Sequence, residues 1–195
     1  MVEGMTVNRP LSAPRPLKLT LEDFRLLHEA GAFNGYRKVE LIEGVLYTMN
    51  PQQTRHAVAK TDLAFRLYTA LKALGSELFP VVEGTVAMPP KSAPEPDIAV
   101  GQVVRGEKAY MPLSAVSFVV ELSDSTLPYD LGKKKRLYAR HLVPEYWVLD
   151  LEAGRIHQFW GPNSDGYQQS RVHVLGEPIE SVVVTGLTVE TDGLV

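Results

Sequence analysis

The chain contains no cysteine. That excludes disulfides and thiolate metal sites and fits a reducing compartment. Any metal must therefore be held by carboxylates, histidines or backbone carbonyls. No apolar run is long enough to span a bilayer, so no membrane partner is expected. The N-terminus carries no apolar signal-peptide segment, and the expected compartment is the cytoplasm. Positive charge is not in excess: the net charge is −3. A globally basic nucleic-acid binder is excluded, while a local basic face stays open. A Gly-rich phosphate loop, a Walker motif, internal repeats and low-complexity segments are also missing.

What is there has ordinary globular composition, with 45% hydrophobic and 22% charged residues in 195. One domain over residues 19–195 is expected, preceded by an extended or partly disordered arm, 1–18, with Pro10, Pro14 and Pro16. Thr20 is placed to cap a short helix ending near Gly31. Residues 37–50 read as a β-hairpin bent at Glu43-Gly44, with Glu40 inside its first strand. Residues 54–74 read as the longest helix, with His56, Lys60, Leu63, Leu67, Leu71 and Leu74 on one face and Gly75 at its end. A strand region broken at Gly84 precedes MPPKSAPEPD, whose four prolines predict a stiff, extended connector. That connector delivers Asp97 to the start of a short strand reaching Val100. Beyond Asp150 the chain is β-rich, with a turn at GPNSDG and further short strands over 181–184 and 187–189.

The most informative stretch is 116–150, which reads strand, polar loop, helix, strand. Alternation puts Val119, Glu121 and Ser123 on one face of the first strand. A carboxylate within a buried strand is costly unless it is paired or bound to metal. At about 100° per residue, Lys134 falls in the helix's apolar stripe with Leu131, Leu137, Tyr138, His141 and Leu142. Lys133, Lys135, Arg136 and Arg140 fall elsewhere and form a cationic outer face. Asp130 reads as the helix N-cap or as part of a site. Strand, helix, strand is a crossover unit, so its two strands are expected to be parallel neighbours, with the Asp97 strand beside them. Asp97, Glu121 and Glu40 would then sit on one face with Lys134 above them, and His56 nearby. Converging carboxylates repel one another, and a divalent cation relieves the conflict. Oxygen donors favour Mg²⁺ or Mn²⁺ over zinc. A lysine beside such an ion could orient water or stabilise charge on a phosphate oxygen, which suits phosphodiester hydrolysis.

Pro96-Asp97, followed by Glu121 in the next long strand, resembles the PD-(D/E)XK nuclease pattern, with Ser123 standing where that pattern has lysine. A lysine moved to the following helix, at Lys134, is similar to the Uma family of restriction endonucleases. VELIEG (39–44), the His56 helix start, EPDIAV (95–100), VVELSDST (119–126), DLGKKKRLYA (130–139) and VPEYWVLD (143–150) resemble that family's blocks in order. The resemblance implies an α/β, restriction-endonuclease-like mixed sheet flanked by helices, and Mg²⁺-dependent cleavage of DNA. It implies Asp97 and Glu121 as metal ligands, Lys134 as catalytic lysine and Glu40 as a further acidic site residue, with His56, Ser123 and Asp130 as candidate site-lining residues.

Two other readings compete. One is a non-catalytic DNA- or protein-binding scaffold in which Glu121–Lys134 is a structural ion pair. The other is a hydrolase of a non-nucleic phosphate ester, which the cationic outer face disfavours. A homodimer or higher homo-oligomer is a candidate assembly, because a two-fold axis pairs two sites with two antiparallel strands.

Overall fold

A computed structural model describes residues 15–49, 51–106 and 108–194. Most of the expected N-terminal arm, residues 1–14, lies outside the described residues. Residues 15–18 have no regular structure.

Helix α1 (Leu21–Glu29) is opened by Thr20, whose hydroxyl accepts from the Asp23 N–H while Asp23 accepts from the Thr20 N–H. This reciprocal box satisfies two otherwise orphaned donors. Strands β1 (Val39–Ile42) and β2 (Val45–Thr48) form a separate hairpin. Its two-residue turn places Glu43 and Gly44 at φ of 51° and 80°, as the twist of such hairpins favours. Gly44 is required for space as well: a Cβ there would lie 2.8 Å from Lys18 Cβ. Helix α2 (Thr54–Ala73) follows, and Leu74, expected on its buried face, lies past its end and is exposed.

Strands β3 (Phe79–Val82) and β4 (Val86–Ala87) flank Gly84 and enter different sheets. The proline-rich connector is not extended throughout. It reverses at 89–91, where Met88 and Ser92 exchange backbone hydrogen bonds, and Ala93 then bridges to Leu41 of the hairpin. Strands β5 (Ile98–Gly101), β6 (Met111–Pro112) and β7 (Val116–Ser123) come next. The following helical stretch has three parts: α3 (Leu127–Tyr129), a π turn (Asp130–Lys134) and α4 (Lys135–Arg140). Strands β8 (Glu145–Asp150), β9 (Arg155–Asn163), β10 (Gly166–Val174), β11 (Ile179–Glu180) and β12 (Thr188–Val189) complete the chain.

The main sheet has the order β10-β9-β8-β7-β5-β3. Its β7–β8 pair is parallel, as the crossover requires, and its other pairs are antiparallel. Both faces are covered. Leu63, Leu67 and Leu71 of α2 pack on Ile98, Phe118, Val120 and Trp147. Leu137 and Tyr138 of α4 pack on Ala99, Val119, Tyr146 and Val148. Each fully buried leucine contributes about 1.5–3 kcal/mol. This is the expected mixed sheet between helices with a strand-rich C-terminal part. Among the described residues no helix is long and apolar enough to cross a membrane.

Three further local expectations fail. The helix after β7 starts at Leu127, so Asp130 is not its cap but lies inside it. The same helix stops at Arg140, leaving Leu142 at φ 58° and exposed rather than in the buried stripe. Residues 181–184 are not a strand: Ser181, Val182 and Val183 turn to bind Glu145.

Glu145 is fully buried. It accepts from Trp147 Nε1, Gln158 Nε2 and Ser181 Oγ at 2.6, 2.6 and 2.7 Å, and from two backbone amides. It ties the C-terminal segment to β8 and β9. Glu145→Ala would strand those donors and is expected to cost about 3 kcal/mol or more in urea denaturation. A loss under about 1 kcal/mol would contradict this role.

Candidate active site

Asp97 comes just before β5 and opposes Glu121 across the β5–β7 pair, by continuation of the Ile98–Val120 register. Its Oδ2 accepts the Leu122 N–H at 2.9 Å, which fixes the carboxylate at the strand end. Its Oδ1 faces α2, at 3.3 Å from Gln52 Nε2 and 3.4 Å from both Lys60 Nζ and His56 Nε2. Lys60 is bound more closely by Gln52 Oε1 at 2.6 Å and Glu83 Oε1 at 2.5 Å. His56 Nε2 is buried without a hydrogen bond.

Glu121 points to the other face of the sheet, so the two carboxylates do not share one face as the alternation suggested: Asp97 lies just before β5 and turns to α2, and Glu121 turns to Lys134 and Tyr138. Its Oε1 accepts from Lys134 Nζ at 2.8 Å and from the Tyr138 hydroxyl at 2.6 Å. Lys134 Nζ also donates to Glu40 Oε1 at 2.7 Å, and Glu40 Oε1 accepts the Glu95 N–H at 2.7 Å. The π turn sets the lysine's position. The Lys135 N–H reaches back five residues to the Asp130 carbonyl, which also accepts the Tyr146 hydroxyl at 3.1 Å. Such wide turns recur at functional sites. Asp130 Oδ2 accepts from Ser123 Oγ and Thr126 Oγ1, both at 2.6 Å. Ser123 therefore serves Asp130 instead of substituting for a lysine.

These groups surround a cavity of about 370 Å³. Asp97, Glu121, His56, Asp130 and Lys134 line it, whereas Glu40 and Ser123 are buried behind its wall. Sequence reasoning missed Glu83, Glu95 and Gln52, and saw Lys60 only as a residue on the buried face of α2. Lys60 could have been found: it lies one turn after His56 on that face. Glu83 and Gln52 come from loops that only the tertiary fold brings in.

The charges are unevenly balanced. Burial raises Asp97, but the His56 imidazole, the Lys38 charge and the Leu122 amide outweigh it, so the carboxyl stays well below the usual range. Burial pushes Glu121 up to about 7; Lys134 opposes this, while Asp97, Asp130 and Glu40 reinforce it. Burial also lifts Glu95 to about 7, against Lys38. Lys134 pays a desolvation penalty, yet Glu121, Glu40 and Asp130 hold it firmly protonated. Shifts of this kind concentrate at functional sites.

Among the described residues no group of three or more His, Asp or Glu is arranged to hold a metal. Asp97 and Glu121 nevertheless fit magnesium or manganese. Both supply hard oxygen donors to one cavity, and Asp97 Oδ1 has only long contacts. Magnesium is commonly held by one or two carboxylates, with water and substrate phosphate completing its shell.

The outer cations are less available than the sequence suggested. Lys133 Nζ lies over the Tyr47 ring at 4.2 Å and Lys135 over Phe159 at 4.7 Å, while Arg140 pairs with Glu43 at 2.8 Å.

The architecture is a mixed sheet with a crossover helix above a carboxylate-lined cavity. A crystal structure described as "a putative nuclease belonging to DUF820 from Anabaena variabilis" is similar to this chain, with a TM-score of 0.70 and 16% identity. The match covers 90% of this chain and 97% of that one, and shows the fold. The model of the Uma2 family, described as "Putative restriction endonuclease", matches residues 21–192, and the chain belongs to that family. No curated protein matches the chain.

The raised Glu121 carboxyl gives a signed prediction. Its stabilising proton is fully present below the unfolded value near 4.5 and is lost as pH rises through about 7. Glu121→Gln keeps an acceptor for Tyr138 and leaves Lys134 paired with Glu40. The variant is therefore expected to match or exceed wild-type urea stability at pH 8, with a flatter pH profile between 5 and 8. A loss of about 3–5 kcal/mol at pH 8 would instead mark Glu121 as an indispensable structural counter-ion.

Proposed function

We propose that this chain is a Mg²⁺- or Mn²⁺-dependent endonuclease that hydrolyses DNA phosphodiester bonds. The observation that carries the reading is the meeting of Asp97 and Glu121 at one cavity, with Lys134 Nζ 2.8 Å from Glu121. Family membership and fold support it.

In this reading Asp97 and Glu121 hold the ion. When bound, the ion supplies Lewis acidity and eases deprotonation of water. Asp97 enters the reaction ionised, and its Leu122 hydrogen bond keeps one oxygen turned away so that the other serves the cavity. Tyr138 fixes the rotamer of Glu121. Glu40 holds Lys134 from behind, so the ammonium is positioned before substrate arrives. Lys134 then offers charge to the attacking water or to a phosphate oxygen, without reorganisation during the reaction. His56 borders the same space from α2.

The second reading is the non-catalytic DNA- or protein-binding scaffold. One observation favours it: Lys134 is held by two carboxylates and already compensates them without an ion.

Cleavage assays on supercoiled and linear DNA separate the two. Asp97→Ala, Glu121→Ala and Lys134→Ala are each expected to lower Mg²⁺-dependent cleavage about 10²-fold or more, with wild-type circular dichroism. Full activity in all three variants would overturn the assignment.

A further inference from the structure

We propose that a second cavity, beside the Asp97–Glu121 site, seats one unstacked base of a single-stranded segment of the DNA substrate. This rests on the nuclease reading and adds a substrate class to it: DNA with an unpaired stretch next to the scissile bond.

The cavity holds about 330 Å³, within the usual range of about 300–1,000 Å³ for ligand sites. Its wall is aromatic and preformed. Phe24 and Phe33 stack with centroids 5.4 Å apart, and the His28 ring stands 6.3 Å from each. Phe24 is 2% exposed and belongs to a small core with Leu41 and Ala93, so this wall is anchored in the hairpin that carries Glu40. Tyr36 lines the same cavity but is 59% exposed, leaving its ring open to a partner.

The two cavities adjoin. Arg37, Lys38 and Glu95 line both. Lys38 is 3.8 Å from Glu95, and Arg37 has no ion-pair partner among the described residues. A strand leaving the reaction site would thus meet a guanidinium first and the exposed Tyr36 ring next. Cations for the backbone interleaved with rings for the bases are the general design of single-strand binding. Asn34 and Thr85 add polar groups for a base edge. A base within a duplex has both faces covered by its neighbours and cannot enter a concave pocket. The occupant must therefore be unpaired or extruded.

Fluorescence anisotropy tests this, with a fluorescein-labelled oligothymidylate and a hairpin-closed duplex as probes, in EDTA so that no strand is cut. Wild type is expected to bind both, and Tyr36→Ala to weaken oligothymidylate binding about 5- to 100-fold while leaving duplex binding unchanged. Arg37→Ala is expected to weaken oligothymidylate binding and reduce its salt slope by about one. Arg136→Ala, on the exposed side of α4, is the charge control and should leave the ratio of the two affinities unchanged. Because Tyr36 is exposed, its truncation does not disturb a core. Nucleic-acid binding that persists unaltered in both Tyr36→Ala and a His28→Ala/Tyr36→Ala double variant would overturn the cavity proposal while the nuclease reading stands. A wild type that binds neither probe at low salt would overturn both.

Discussion

One buried ammonium, Lys134, joins three parts of the chain that are far apart in sequence. It lies between Glu40 of β1 and Glu121 of β7, and it comes from the π turn between α3 and α4. Removing a charge from water costs several kcal/mol, and only close, well-bonded partners offset it. Here the partners outnumber the cation. Two carboxylates share one lysine, with Asp97 and Asp130 close enough to add their repulsion. Burial is the main cause of the raised Glu121; Lys134 opposes it and the neighbouring carboxylates reinforce it.

The sheet makes this concentration of charge possible without loss of the core. Alternate residues of β5, β7 and β8 fill apolar layers on both faces, and Glu121 is the one buried charge set within β7. Asp97 is approached from the α2 face by Lys60 and His56, and Glu121 from the α4 face by Lys134. Each carboxylate is thus balanced from its own side of the sheet, and both still reach one cavity. The outward lysines next to Lys134 are laid over aromatic rings. Arg37 and Lys38 stand instead at the rim where two cavities meet, Lys38 beside Glu95.

Much of this was legible in the sequence because the site violates the local pattern. Glu121 interrupts an apolar strand and Lys134 an apolar helical stripe, and burial makes such interruptions expensive. The parallel β7–β8 pair followed from the handedness and economy of crossovers. Boundaries were less legible. Asp130 has the composition of a cap, but the chain had already entered the helix at Leu127, so Asp130 lies inside the helix, one turn before Lys134 and buried with it. Ser123 was read against a motif position, whereas its partner is Asp130. Glu145 gave no signal at all, since its donors are gathered from β8, β9 and the segment after β11. Lys60 and Glu83 form an ion pair that no local pattern announces.

The central claim is that Asp97 and Glu121 form a site for a divalent cation rather than a closed set of ion pairs. Calorimetric titration of Mn²⁺ into the wild type and into Asp97→Asn tests it most directly. Saturable binding to the wild type that disappears in Asp97→Asn is the predicted result. Equal binding by both proteins, or none by the wild type even with a DNA strand present to supply phosphate oxygens, would contradict it and leave the site as a set of ion pairs.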